Sequence, residues 1–169
     1  MKRLRGMYVA SIEIERNEKL LKIVIKTSRP GMIIGRSGEG ATKLKNEVVK
    51  KVKSLKLKEV PDIKIDIEEV RQPEGNAAIV GQMIAEGLEK RLPFRRVMKQ
   101  MIEKVIASRD VQGVRIRLSG RLGGADMSRT DELKRGKIPL QTFRADVDYA
   151  EERAIIPQGT LGIKVWIYK

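Results

Sequence analysis

Three groups of residues have types and spacings that could do chemistry, and in all three the chemistry is the holding of anions. The first is Ile33-Ile34-Gly35-Arg36-Ser37-Gly38-Glu39-Gly40, a glycine-framed loop with a guanidinium and a hydroxyl at its tip. Glycines leave no side chain between the backbone and an approaching group. The amphipathic run from Ala41 to Val52 aims a helix N-terminus, with its unpaired N–H groups, at the same spot. Gly35, Arg36, Ser37 and Gly38 therefore suit the phosphates of a nucleic-acid backbone; the alternative is an ordinary turn before a helix. A P-loop is excluded, because Gly31 and Gly35 enclose three residues instead of four and Arg36 stands where that motif needs Lys. The glycines run GXXGXG, so the dinucleotide fingerprint fails as well.

The second group is Arg95, Arg96 and Lys99. On a helix, Arg95 and Lys99 are i,i+4 neighbours with Arg96 beside them, and like charges there repel unless an anion neutralises them. A solvated basic face is the competing reading. The third group is Arg115, Arg117, Arg121 and Arg129, on the polar side of later strands, where arginines can track a phosphate backbone. Here the competing reading is ion pairing with Asp146 and Asp148 on a neighbouring strand. Asp146 and Asp148 could also share a face and hold Mg²⁺, although basic surroundings favour ion pairing. Glu68-Glu69, Asp131-Glu132 and Glu151-Glu152 are adjacent pairs whose side chains point apart, so spacing does not make them acid–base couples. Trp166 and Tyr168 read as a second packed face of the last strand, with an exposed contact surface as the alternative.

The elements that must position these residues follow from hydropathy. Tyr8 to Glu15 alternates, setting Ala10, Ile12 and Ile14 against Val9, Ser11, Glu13 and Glu15, and predicts a half-buried strand. After the polar break Arg16-Asn17-Glu18-Lys19, Leu20 to Thr27 predicts its hairpin partner. Arg29-Pro30-Gly31 stops that strand, and Met32-Ile33-Ile34 is a short apolar turn into the loop. Leu44, Val48 and Val52 repeat every four positions, as in an amphipathic helix. Ile63, Ile65 and Ile67 alternate with charges in a third strand. Pro73 fits the first turn of a helix that runs through Arg91 with Ala77, Val80, Ile84 and Leu88 on one face. A second helix carries Phe94, Val97, Met98, Met101, Ile102, Val105 and Ile106 inward. Val114, Ile116 and Leu118 mark a strand, followed by a polar loop with Lys134, Arg135 and Lys137. Phe143, Ala145, Val147 and Tyr149 form one face of the next strand, with Arg144, Asp146 and Asp148 on the other. Leu161, Ile163, Val165 and Ile167 close the chain.

Composition narrows the partners. The chain has 169 residues and a formal net charge of +14, an electrostatic footprint for a polyanion. The hydrophobic fraction of 41% predicts a folded protein, and 4% aromatics leaves little for extensive base stacking. Cysteine and histidine are both absent, which removes disulfides, thiolate and common zinc sites and histidine acid–base catalysis. No run approaches the ~18 apolar residues of a membrane span. The basic start Met1-Lys2-Arg3-Leu4-Arg5-Gly6 does not lead into a secretory hydrophobic region. A cytoplasmic protein without cofactor, metal or membrane partner is expected. Gln72-Pro73-Glu74 is the best boundary: residues 1–72 hold 18 Lys and Arg against 10 Asp and Glu, and residues 73–169 hold 18 against 12.

The segments Arg29 to Glu39, Phe94 to Lys99, Ser119-Gly120-Arg121-Leu122-Gly123-Gly124-Ala125-Asp126, Ile138-Pro139-Leu140 with Arg144 to Tyr149, and Gly162 to Ile167 resemble the family of small-subunit ribosomal protein three, over nearly the whole chain. The resemblance implies an α+β protein: a type II KH domain at 1–72, whose GXXG loop clamps RNA backbone, then a C-terminal domain at 73–169 with two helices and a mostly antiparallel sheet. It implies a structural, non-enzymatic constituent of the small-subunit head, packed on ribosomal RNA near small-subunit proteins ten and fourteen. By motif, Arg95, Arg96 and Lys99 correspond to basic residues lining the channel where messenger RNA enters. Arg115, Arg117, Arg121, Arg129, Lys134, Arg135 and Arg144 are expected against ribosomal RNA.

Against the family pattern, a short segment before the first strand and the lack of a basic tail are expected. The KH lobe is therefore expected to lack a helix and to leave one face of its sheet less covered. Two other readings compete: a free-standing KH-type RNA chaperone or regulator acting off the ribosome, and a nucleic-acid lyase or nuclease, whose Schiff-base chemistry needs a desolvated Lys that no spacing singles out.

Overall fold

A computed structural model of the chain describes residues 4, 6–17, 20–54 and 62–169. Most of the basic start, and Glu18-Lys19 of the predicted polar break, lie outside the described residues. The chain divides into two units, Met1–Arg71 and Gln72–Lys169.

In the first unit, β1 (Val9–Arg16) and β2 (Leu20–Thr27) pair antiparallel, and β3 (Asp62–Glu69) joins β2 in parallel, giving the order β1-β2-β3. A parallel neighbour requires a crossover, and here it contains α1 (Pro30–Ile34), a 3₁₀ turn at Arg36–Gly38 and α2 (Glu39–Ser54). The register aligns Ile12 with Ile25 and Ile14 with Ile23, then Ile23 with Ile65 and Ile25 with Ile67, so one face is an isoleucine stripe. Leu44, Val48 and Val52 of α2 meet Ile12, Ile14, Ile23 and Ile25 around an open apolar cavity of about 750 Å³. Ile14 is 65% exposed there. On the opposite face charges pair across strands: Lys26 with Glu13 at 2.5 Å, and Lys22 with Glu15 at 3.6 Å and Asp66 at 3.7 Å.

In the second unit, α3 (Ala77–Glu89) and α4 (Phe94–Ile106) cover one face of an antiparallel sheet with order β5-β4-β7-β6. The strands are β4 (Gly113–Gly120), β5 (Arg129–Gly136), β6 (Val147–Ile156) and β7 (Gly159–Tyr168). Val80, Ile84 and Leu88 of α3 and Val97, Met98 and Val105 of α4 share one core with Val114, Ile116 and Leu118 of β4 and Ile163, Val165 and Ile167 of β7. The α+β arrangement, with two helices on an antiparallel sheet, is the expected one.

Four local expectations are corrected. Pro73 opens a separate 3₁₀ turn, Pro73–Gly75, and not the helix. Asn76 caps α3 instead, its Oδ1 accepting from the N–H groups of Ala78 at 3.1 Å and Ile79 at 3.2 Å. α2 starts at Glu39, two residues before the expected Ala41. Lys134 and Arg135 lie on a strand, β5, and not in a polar loop. Leu133 is the one apolar residue of Arg129–Gly136, so this edge strand has no hydropathy period, and its pairing with β4 alone defines it. The next strand begins at Val147 and runs on to Ile156. Phe143, Arg144 and Ala145 precede it in a turn closed by the Ala145 N–H on the Thr142 carbonyl at 3.1 Å, and the Phe143 ring is fully exposed. Chance alternation before the strand, and the charged run Glu151-Glu152-Arg153 within it, moved the apparent boundaries.

Candidate nucleic-acid interface

In the first unit, α1 ends at Gly35, whose φ of +70° lies in the left-handed region and whose N–H reaches the Gly31 carbonyl at 3.0 Å. The tip continues left-handed, with Ser37 at φ 50° and Gly38 at φ +78°. This winding turns Gly35, Arg36 and Ser37 outward into solvent, immediately before the first turn of α2. Arg36 makes no ion pair among the described residues. Gly40 holds the loop's far side: a Cβ there would come within 2.4 Å of the Ile33 carbonyl oxygen, so the start of α2 presses directly on the backbone of α1. The loop is thus an exposed backbone surface with a cation at its tip and a helix start behind it.

In the second unit, Arg95, Arg96 and Lys99 are all exposed on the first two turns of α4. Pro93 precedes that helix without a side-chain cap, and no acidic residue occupies its first turn. Two guanidinium groups at the positive end of a helix dipole are unfavourable without an anion. Arg95 has weak compensation, Asp131 at 3.7 Å, and Arg96 and Lys99 have none among the described residues. The fold adds Arg129 to this group: the Phe94 ring lies 5.7 Å from the Arg95 guanidinium and 5.9 Å from that of Arg129. The sequence shows Phe94 only as a core residue, because its spacing gives the face it takes and not that two arginines flank it.

The arginines expected on one polar face separate into different settings. Arg115 and Arg117 lie on the sheet face away from the helices, as does Lys134, which is opposite Arg115 in the register. Arg129 and Arg135 alternate with them and project on the helix side. Arg121 follows β4, and its guanidinium binds the Ala125 carbonyl at 2.8 Å, the Gln158 carbonyl at 3.1 Å and Asp126 at 3.1 Å, organising the Leu122–Asp126 loop. Arg144 is exposed in the turn before β6. Pairing of Arg115, Arg117 and Arg121 with Asp146 and Asp148 does not occur, because β7 separates β4 from β6. Arg115 pairs instead with Glu132 at 2.7 Å. Asp148 accepts the Ala77 N–H at 2.9 Å and so anchors the start of α3, and no cluster of metal-ligating side chains occurs among the described residues.

Beside Arg115 and Arg117, the open face carries a set of groups that the sequence did not bring together. The Arg115 guanidinium lies 4.9 Å over the Trp166 ring, and the Tyr149 ring lies 5.2 Å from Trp166 on the other side. The Tyr149 hydroxyl donates to Glu151, which also holds Lys164 at 3.0 Å. Accordingly the Tyr149 phenol is held above its usual range by that hydrogen bond. Glu151 is held below the usual carboxylate range by Tyr149 and then Lys164, and Lys164 is raised by Glu151. Lys26 is raised as well, by its hydrogen bond to Glu13. A Schiff-base lysine requires the opposite shift.

Family models match both units: a KH domain over residues 1–75, and the ribosomal protein S3 C-terminal domain over residues 84–167. The small ribosomal subunit protein uS3 of Clostridium novyi is 45% identical over 168 residues, spanning 99% of this chain and 73% of that protein. The uS3 protein of Alcanivorax borkumensis is 45% identical over 168 residues, 99% of this chain and 70% of that protein. That of Endomicrobium trichonymphae is 46% identical over 167 residues, 99% of this chain and 69% of that protein.

Proposed function

Because the chain belongs to the uS3 family of small ribosomal subunit proteins, we propose that it is a structural constituent of that subunit which holds ribosomal RNA with both units and grips incoming messenger RNA with α4. The observation that carries this reading is the exposed, almost uncompensated cluster of Arg95, Arg96 and Lys99 at the start of α4, with Arg129 beside it. Such a cluster is locally unfavourable until phosphates occupy it.

In this reading Gly35 to Gly38 admit a ribosomal RNA backbone close to the main chain, with Arg36 and the start of α2 facing phosphate oxygens. Arg115, Arg117, Lys134, Arg135 and Arg144 contact ribosomal RNA through phosphates. Arg121, and Arg129 through the Leu122 carbonyl at 3.3 Å, hold the Leu122–Asp126 loop in shape while presenting their remaining donors to RNA. Residues 1–72 and 73–169 act as two RNA-binding domains, and small-subunit proteins ten and fourteen are the proposed protein neighbours.

The test is the double variant Arg95→Ala with Arg96→Ala. Both side chains are exposed, so the variant should fold and enter small subunits normally. Translation of a message with a hairpin in its early coding region should fall several-fold, while an unstructured message is read at the normal rate. Equal rates on both messages, from subunits shown to contain the variant, would remove the messenger RNA role from α4.

A further inference from the structure

The open face of the second unit's sheet presents ordered rows set by the strand register. One row runs Lys134, Arg115, Trp166, Tyr149 from β5 to β6; the next runs Glu132, Arg117, Lys164, Glu151. No described element of this unit lies over them, since α3 and α4 pack on the other face. Tyr149 is 45% exposed.

Three features fit these rows to one kind of ligand. The rings are pre-positioned: Trp166 lies between the Arg115 guanidinium at 4.9 Å and the Tyr149 ring at 5.2 Å, and Tyr149 is anchored at its hydroxyl by Glu151. Both carboxylates of the face are already neutralised, Glu132 by Arg115 at 2.7 Å and Glu151 by Lys164 at 3.0 Å. Arg117 and Lys134 remain without an ion pair among the described residues; Lys134 is opposite Arg115 on β5 and Arg117 is two residues along β4, so both lie on the Arg115 side of the rings. The Nε of Arg115 is itself buried without a hydrogen-bond partner. An aromatic pair with unpaired cations along one side is complementary to a flat base joined to phosphates. A duplex would offer phosphates but no exposed base face, so the rings favour an unpaired nucleotide.

We propose that this face is a single-stranded RNA platform, on which the half-exposed Tyr149 ring, backed by Trp166, stacks an unpaired base while Arg117 and Lys134 meet phosphates of the same strand on the Arg115 side. It rests on the reading of the chain as an RNA-binding protein and adds a stacking site to it. The platform selects for an unstacked base and not for a particular sequence, because every base has a π face.

Trp166 is the single tryptophan of the chain, so its fluorescence reports this site alone. The full chain would be titrated with a fluorescently labelled short oligouridine, following RNA polarisation for binding anywhere and Trp166 emission for binding at the rings. Saturable quenching that tracks polarisation is expected. Tyr149→Ala should weaken the quenching isotherm by about tenfold or more, while Tyr149→Phe, which keeps the ring, stays close to the native affinity. Unchanged circular dichroism would confirm that both variants fold. Binding seen by polarisation with unquenched Trp166, or with Tyr149→Ala binding as tightly as the native chain, would overturn the platform and leave the RNA-binding reading standing. No polarisation change at any concentration would overturn both.

Discussion

Glu151 sits between two donors, and that fixes how the surface around Trp166 should respond to pH. Its folded pKa is depressed by Tyr149 and Lys164, so its contribution is present above the ordinary carboxylate value of 4.5 and is lost as pH falls through the lowered one. The phenol of Tyr149 and the ammonium of Lys164 are raised from 10.0 and 10.5. Their contributions are therefore present below those values and are lost as pH climbs through the raised ones. With no histidine in the chain, no side chain at this site has an ordinary pKa near neutrality. Trp166 emission should consequently be flat from about pH 5 to about pH 9 and change only beyond those limits. Glu151→Gln should remove the acidic limb and bring the tyrosinate absorbance of Tyr149 to lower pH. A titration of Trp166 emission centred near pH 7 would show that this trio does not set the environment of the ring.

At the scale of elements, the contact between α1 and α2 is the one where a single methyl group decides the geometry. The Cβ of Gly40→Ala would meet the Ile33 carbonyl oxygen at 2.4 Å and that of Ile34 at 2.9 Å, both backbone atoms that cannot swing away. Overpacking of this kind costs about 1–3 kcal/mol, and relief requires α2 to move away from α1, which re-aims the loop. Gly38→Ala meets nothing within 4 Å but holds a left-handed φ of +78°, which costs about 1–2 kcal/mol without displacing either helix. Amide hydrogen exchange should therefore quicken through α1 and the first turn of α2 in the Gly40 variant, and only around Gly35–Glu39 in the Gly38 variant. Matching exchange patterns in the two would refute the contact.

The same contrast between local and long-range causes explains which elements were legible in the sequence. β4 and β7 alternate because one face of each is buried under α3 and α4, so Val114, Ile116 and Leu118, and Leu161 through Ile167, carry a period of two. The GXXG loop and the α4 cluster are contiguous in sequence, so their residue types could be read directly. β5 is not legible in the sequence because an edge strand with one apolar residue is held by backbone pairing, which leaves no side-chain period. The Arg115–Trp166–Tyr149 group is hidden in the sequence for a related reason. Its members come from three strands, and only the register of β4 and β6 on β7 makes them neighbours.

For the molecule as a whole, the net charge of +14 and the small aromatic content make phosphate contacts the main source of affinity and the stacking site a minor one. These two sources differ in their dependence on salt. Each phosphate contact releases a counterion, so log affinity should fall linearly with log salt, with a slope of about −0.7 per contact on single strands. Removing a cation removes its share of the slope: Arg117→Ala should flatten it by about 0.7, and Arg117→Ala with Lys134→Ala by about 1.4. Tyr149→Ala carries no charge change and should lower the whole line while leaving it parallel to the native one. Affinities for oligouridine measured across a salt series on the full chain separate the two contributions. A flattened line for Tyr149→Ala would mean that the aromatic acts by arranging the neighbouring cations. An unchanged slope for Arg117→Ala would mean that this guanidinium meets no phosphate, and the cationic half of the sheet surface would then have to be sought at Lys134.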